Sequence, residues 1–275
     1  MSNSKSKAYV ETTVLADALL KPDTPKQSRA LAALARYGET LLPVYSIKEL
    51  KAGALGHFAW LHDKFVQTKS LADTVQAMSS MNPYFLAGRR STALEALAAA
   101  TRLLVAGSDV TGDYMSRDSE DADRYRLALA KLIVLSWKKR RKLTHQTIQE
   151  LDCYIEAAPR TDKTSGFFDL SPQHCSVEKR CSLEGDLKAP QAKELLIALR
   201  DAIPESSSRV EDRNRRSVLN QLIRQPQKHI TEEECRWLGD AIFAFFCPRD
   251  AVILTTNMRD HVPLAEAIGK RAEAP

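Results

Sequence analysis

The sequence has no apolar run near the ~20 residues that a membrane-crossing helix needs. Its most apolar stretch, Ala241–Cys247, is far shorter, so no membrane partner is expected. Cysteine is sparse and odd in number: Cys153, Cys175, Cys181, Cys235 and Cys247. Such a set argues against a disulfide framework. Met1–Lys7 is polar and lysine-bearing, with no apolar stretch behind it, so no signal peptide is read and a reducing cytoplasm is the expected compartment. Internal repeats and long low-complexity tracts are also lacking. Aromatic residues make up only 7% of the chain, but hydrophobic residues make up 44% and charged ones 27%, which is ordinary for a globular protein. The net charge of +5 permits a polyanionic partner without demanding one.

The two ends of the chain share a pattern. Ala8–Leu20 (AYVETTVLADALL) reads as a buried strand passing into a helix or turn. Gln27–Tyr37 is an amphipathic helix with Thr24 or Ser28 as N-cap and Gly38 as its stop. Leu41–Tyr45 reads as a second strand. Ser46, with Glu49 three residues on, has the form of a capping box opening the next helix. At the far end, Thr231–Phe246 reads as one capped helix ended by Pro248. A strand over Ala251–Thr256 and a helix over Pro263–Gly269 follow. Strand–helix–strand alternation predicts an α/β fold with a parallel sheet and helical crossovers. Between them, from His62 to His229, the spacing predicts helices over Ser91–Ala106, Asp121–Lys139, Thr144–Ala158, Pro190–Ile203 and Glu211–Gln225, with no convincing strand. The expected division is a discontinuous core of residues 1–61 and 230–275, split by a helical insertion over 62–229.

Four acidic residues fall where such a core gathers chemistry: Glu11 in the first strand, Glu49 after the second, Asp240 in an apolar helix, and Asp260 beyond the last strand. Ligands of open parallel sheets bind outside the carboxyl ends of the strands. Two carboxylates ~4 Å apart repel by roughly 4 kcal/mol at an effective dielectric near 20. Several together need protons or a cation, and hard oxygen donors select Mg²⁺ or Mn²⁺. Such an ion lowers the pKa of a bound water and offsets charge on a phosphoryl oxygen, which points to phosphodiester hydrolysis. Taken singly, each acid also has a structural explanation: a cap for Glu49, an outward strand end for Glu11, an arginine salt bridge for Asp240, an Asx turn for Asp260.

The four segments resemble the motifs of PIN-domain nucleases, most closely the PIN ribonucleases of toxin–antitoxin modules. YVETTVL matches the first motif, with Glu11 in the acidic place and Thr13 in the hydroxyl place. SIKELKAG matches the second through Glu49, and GDAIFAFF the third through Asp240. LTTNMRDH matches the last through Thr256, Asn257 and Asp260, with His261 where an aromatic is usual. The departures are glutamate for aspartate at Glu11, Asn257 where many members carry a carboxylate, and the long insertion. The resemblance implies a PIN-like three-layer core with a short parallel sheet. It also implies a metal-dependent endoribonuclease, a toxin or defence effector, in which Glu11, Glu49, Asp240 and Asp260 hold Mg²⁺ or Mn²⁺. Thr13, Thr256 and Asn257 would position water or phosphate. RNA is the implied substrate, with an antitoxin or other regulatory protein, or a second copy of the chain, as further partners. The competing readings are a catalytically inactive PIN-like RNA-binding protein and a helical scaffold or regulatory protein.

Other signals are weaker. Lys138, Lys139, Arg140, Arg141 and Lys142 end a predicted helix and read equally as a solvated terminus or a nucleic-acid-binding patch. Arg209, Arg213, Arg215 and Arg216 are diluted by Glu211 and Asp212 and read as a surface helix. His174, Cys175 and Cys181, completed by Cys153 or Cys235, could form a structural zinc site, but the spacing fits no standard finger and ordinary thiols are preferred.

Overall fold

The computed structural model describes residues 6–80, 83–106, 121–152, 157–170 and 182–275, with backbone alone over 83–91. The N-terminal half of the core alternates as expected. Strand β1 (Lys7–Val10) leads through Glu11 into α1 (Thr12–Leu20), then α2 (Pro25–Arg36), β2 (Glu39–Pro43) and α3 (Val44–Ala52). Thr24 caps α2, its hydroxyl accepting from the Gln27 amide at 3.1 Å. Helices α4 (Ala54–Thr68), α5 (Leu71–Ser79), α6 (Pro83–Val105) and α7 (Asp121–Leu143) follow.

The middle of the chain is not purely helical. Residues 146–148 form a strand, β3 (Gln146–Ile148), where the spacing over Thr144–Ala158 suggests a helix. It pairs with β2 at the edge of the main sheet. With only three residues it offers no readable alternation, so tertiary pairing decides its state. A two-stranded antiparallel ribbon joins β4 (Arg160–Thr161) to β5 (Phe168–Asp169). Helices α8 (Ser182–Lys188), α9 (Lys193–Asp201) and α10 (Val210–Arg224) complete the segment between the two core halves, with a 3₁₀ turn over Pro190–Ala192 before α9.

The C-terminal part also departs from the expected single helix. It is two: α11 (Glu232–Trp237) and α12 (Gly239–Phe246), separated at Leu238. The Thr231–Glu234 capping box forms in full at the start of α11. Strand β6 (Ala251–Leu254), helix α13 (Met258–Ala267) and a final strand β7 (Arg271–Glu273) follow.

The five main strands are all parallel, in the order β3-β2-β1-β6-β7. Successive residues Ala8, Tyr9 and Val10 are all fully buried, as are Ile253 and Leu254. Because neighbouring side chains point to opposite faces, both faces of the sheet are covered, as a parallel sheet requires. One apolar core runs from Ala8 to Ala265 and takes in Leu129, Ile133, Leu183 and Leu219 from the intervening segment. Residues 62–229 therefore contribute an edge strand and core packing to the same body. Among the described residues no helix is long and apolar enough to cross a membrane.

Strand order also locates a crevice. The chain leaves β1 toward β2 and β3 on one side, then returns to β6 on the other. Between β1 and β6 the direction of winding reverses, and the loops at the carboxyl ends part there.

Candidate functional site

Both loops at that switch point carry polar residues. Glu11 follows β1 directly and is the N-cap of α1. Its Oε2 accepts from the Thr13 amide at 3.0 Å, from the Thr13 hydroxyl, and from the Thr255 hydroxyl at 3.1 Å. Thr255 follows β6, so one carboxylate oxygen ties the two central strand ends together. The Thr256 hydroxyl donates to Thr13 Oγ1 at 2.7 Å, and the Asn257 amide donates to Thr255 Oγ1 at 2.9 Å. Glu11 is 5% exposed. Burial pushes its carboxyl up to about 7, and the charge of Asp240 adds to that rise against the Thr13 and Thr255 hydrogen bonds.

Glu49 reaches the same place from α3, and not as a capping residue. The helix begins at Val44, before the expected Ser46. Ser46 lies inside it and its hydroxyl donates to the Val10 carbonyl at 2.8 Å, pinning α3 to the end of β1. The free amides of Val44 and Tyr45 are capped from afar by the Glu150 carboxylate, at 3.1 and 2.7 Å. Released from capping, Glu49 accepts from the Thr12 hydroxyl at 2.5 Å. Its carboxyl is raised to about 8 by burial, with the charges of Glu11 and Asp240 adding to the rise. Gly53 ends α3, where an added Cβ would lie 2.9 Å from the Glu49 carbonyl oxygen. That close approach explains a glycine four residues after the acid.

Asp240 stands in the first turn of α12, next to Gly239. A Cβ at Gly239 would meet Tyr45 Oη at 2.9 Å and Glu49 Oε1 at 3.4 Å, so the start of α12 lies directly on the Glu49 carboxylate. Glu11, Glu49 and Asp240, far apart in sequence, thus converge close enough to raise the proton affinity of the two glutamates.

Asp260 has partners of its own beside this group. Asp260 is held by both terminal nitrogens of Arg209 and by Asn257 Nδ2 at 2.9 Å. The Arg209 guanidinium draws its carboxyl down to about 2. Asp240 also has a cation: Arg215, from α10, binds its Oδ2 and also donates from Nε to the Trp237 carbonyl at 3.2 Å. The expectation that Arg209 and Arg215 sit on a surface helix is corrected here. Arg215 is 6% exposed, and each arginine is turned to an acid, Arg209 to Asp260 and Arg215 to Asp240. His261 packs edge-to-face on Phe243, as the usual aromatic would, with Nε2 3.3 Å from Asp240 Oδ1. Burial lowers its pKa, which favours a neutral ring.

The basic run at the end of α7 lies elsewhere. It leads into β3, so it sits at the amino edge of the sheet, opposite Glu11 and Thr255. Within it Arg140 is only 2% exposed and lies over the Trp137 ring at 3.6 Å, so it is a core residue and offers no surface to nucleic acid. Lys138, Lys139, Arg141 and Lys142 remain exposed. Of the zinc candidates, Cys235 is a buried residue of α11, while Cys153, His174, Cys175 and Cys181 lie outside the described residues.

The residues fit a hard divalent cation in part. Among the described residues no lysine, arginine or histidine is paired with Glu11 or Glu49, and two unneutralised carboxylates share one crevice. Asp240 is turned to Arg215 and His261, and no group of three or more described His, Cys, Asp or Glu side chains is arranged as a ready metal cage. Thr12, Thr255, Arg209, Arg215 and Tyr45 were not singled out by spacing. The doubled threonines beside Glu11 and Asn257 carry a partial signal, since hydroxyls next to acids at strand ends can bond them. No protein-family model, curated protein or solved structure matches this chain.

Proposed function

We propose that the chain is a divalent-metal-dependent nuclease of the PIN type, acting on RNA. The observation that supports this best is the pair Glu11 and Glu49. They are brought from separate elements to the sheet's switch point, kept beside Asp240, and left without a cationic partner among the described residues. Burying like charges this way destabilises a fold unless something is gained from it. Glu11 and Glu49 would hold Mg²⁺ or Mn²⁺, with Asp240 adding negative charge alongside. When bound, that ion supplies acidity to a water and charge neutralisation to a phosphoryl oxygen.

The chain's own groups do the positioning. Thr12 fixes the Glu49 carboxylate and Thr255 fixes that of Glu11. Thr13 and Thr256 place two hydroxyls at the rim; their protons go to Glu11 and Thr13, and the remaining lone pair on the Thr256 oxygen can accept from the attacking water. Arg215 keeps Asp240 in place and supplies fixed positive charge near the scissile group. Choice of RNA over DNA, a toxin or defence role and restraint by an antitoxin-like partner extend this reading by analogy.

The engagement of Asp240 and Asp260 by arginines favours a second reading, an RNA-binding PIN-like protein that does not cut. One assay separates them: end-labelled RNA incubated with purified protein in Mn²⁺ or in EDTA. The nuclease reading expects cleavage in Mn²⁺ only, abolished in Glu11→Gln and Glu49→Gln. Intact RNA that is nevertheless bound would establish the second reading instead.

A further inference from the structure

An acidic centre repels the polyanion it is proposed to cut, so cations must flank it where the strand enters. A cleft of about 370 Å³ is lined in part by Thr13, which bonds the Glu11 carboxylate, and by Thr256, which bonds Thr13. Its other side is formed by Lys21 at the end of α1 and by Lys26 and Arg29 in the first turns of α2. Lys21 is already committed, 2.7 Å from Asp17 and 3.5 Å from Glu95. Lys26 and Arg29 are exposed, and neither forms an ion pair with another described residue. Asp17 and the last residue, Pro275, line the cleft too, but Asp17 is taken up by Lys21, and Lys26 and Arg29 stand next to the threonine rim without an ion-pair partner among the described residues.

We propose that this cleft is a backbone subsite, in which Lys26 and Arg29 hold a phosphodiester of the polynucleotide strand adjoining the one at the acidic centre. The proposal rests on the nuclease reading for its ligand class. The volume lies at the lower end of the roughly 300–1,000 Å³ range of small-ligand sites. Continuity through Thr13 and Thr256 lets a single strand touch both places without leaving the carboxyl edge of the sheet. The Lys138–Lys142 run lies on the opposite edge and cannot serve the same short strand.

The test uses the full chain in EDTA with a fluorescein-labelled RNA of about 12 nucleotides and the DNA of the same sequence, followed by anisotropy across a salt series. Each phosphate contact to a single strand contributes about 0.7 to the slope of log K against log salt. Lys26→Ala with Arg29→Ala should lower that slope by about 1.4 and weaken binding about 25-fold at about 0.1 M salt. Lys138→Ala with Lys139→Ala should leave both unchanged. Both residues of the first pair are exposed, and an unchanged melting temperature checks the fold. Wild-type binding with the same slope in the Lys26/Arg29 variant overturns the subsite, whatever the cleavage assay shows. Loss of slope in that variant, in a protein that never cuts RNA, overturns the nuclease reading and leaves the subsite standing. Absence of binding to either strand by the wild type overturns both.

Discussion

Replacing Glu11 by glutamine in the metal-free protein should raise its stability, by an amount that depends on pH. The substituted amide retains an oxygen to accept from Thr13 and Thr255, so the cap of α1 and the tie to β6 survive. What disappears is a buried negative charge. The folded carboxyl titrates near 7 and an unfolded one near 4.5. Between those values the folded chain holds a proton that the unfolded chain has lost, so wild-type stability falls as pH rises through that window. Above pH 7 the full penalty is present, about 3 kcal/mol at one pKa unit per ~1.4 kcal/mol. A chain of this size gains about 2 °C for each kcal/mol. Thermal unfolding in EDTA at pH 8.5 should therefore show Glu11→Gln melting about 6 °C above wild type, with the difference shrinking toward zero at pH 5. Mn²⁺ at pH 8.5 should raise the wild type and leave the variant nearly unmoved. A variant that melts at or below the wild type in EDTA at pH 8.5 would refute the reasoning, since Glu11 would then be an ordinary structural cap.

Two further substitutions probe the same centre. Asp240→Asn should act in the opposite sense to Glu11→Gln. It strips Arg215 of its nearer charge partner in a nearly buried position, leaving Asp212 at 3.7 Å, and the melting temperature should fall by several degrees, corresponding to about 2–3 kcal/mol. A rise would show that the Arg215 pair is not formed in solution. Gly239→Ala places a methyl 2.9 Å from the buried Tyr45 hydroxyl and 3.4 Å from Glu49, and should cost about 1–3 kcal/mol by chemical denaturation while weakening Mn²⁺ binding. Unaltered denaturation and metal affinity together would mean that α12 does not press on the Glu49 carboxylate.

The parallel α/β core was legible because its strands are buried on both faces and read as apolar runs bounded by caps and turn residues. Helix α2, the Thr231–Glu234 capping box and strand β6 follow directly from local chemistry. What could not be read was whatever depends on a partner distant in sequence. The expected cap at Ser46 failed because Glu150, about a hundred residues on, caps α3 two residues earlier. Strand β3 is too short to show a period and exists by pairing with β2. The same limit explains the acids. Convergence of Glu11, Glu49 and Asp240 was foreshadowed by the two glutamates at or after strands and by an aspartate in an apolar helix, whereas the arginines that answer Asp240 and Asp260 lie on or beside α10, whose spacing and mixed charge look like any solvated helix.

Those arginines reshape the electrostatic argument for the centre. Four carboxylates suggested a strongly negative hole with room for more than one ion. Arg209 and Arg215 each neutralise one of them, and neither guanidinium can lose its proton at any working pH. The uncompensated charge is then that of Glu11 and Glu49 alone, which a single divalent ion offsets. It also follows that the segment between the two core halves is part of the centre's charge balance. Removing the segment that carries Arg209 and Arg215 would leave Asp260 and Asp240 without their cations, so a core cut free of that segment should be less stable than its apolar packing alone would suggest.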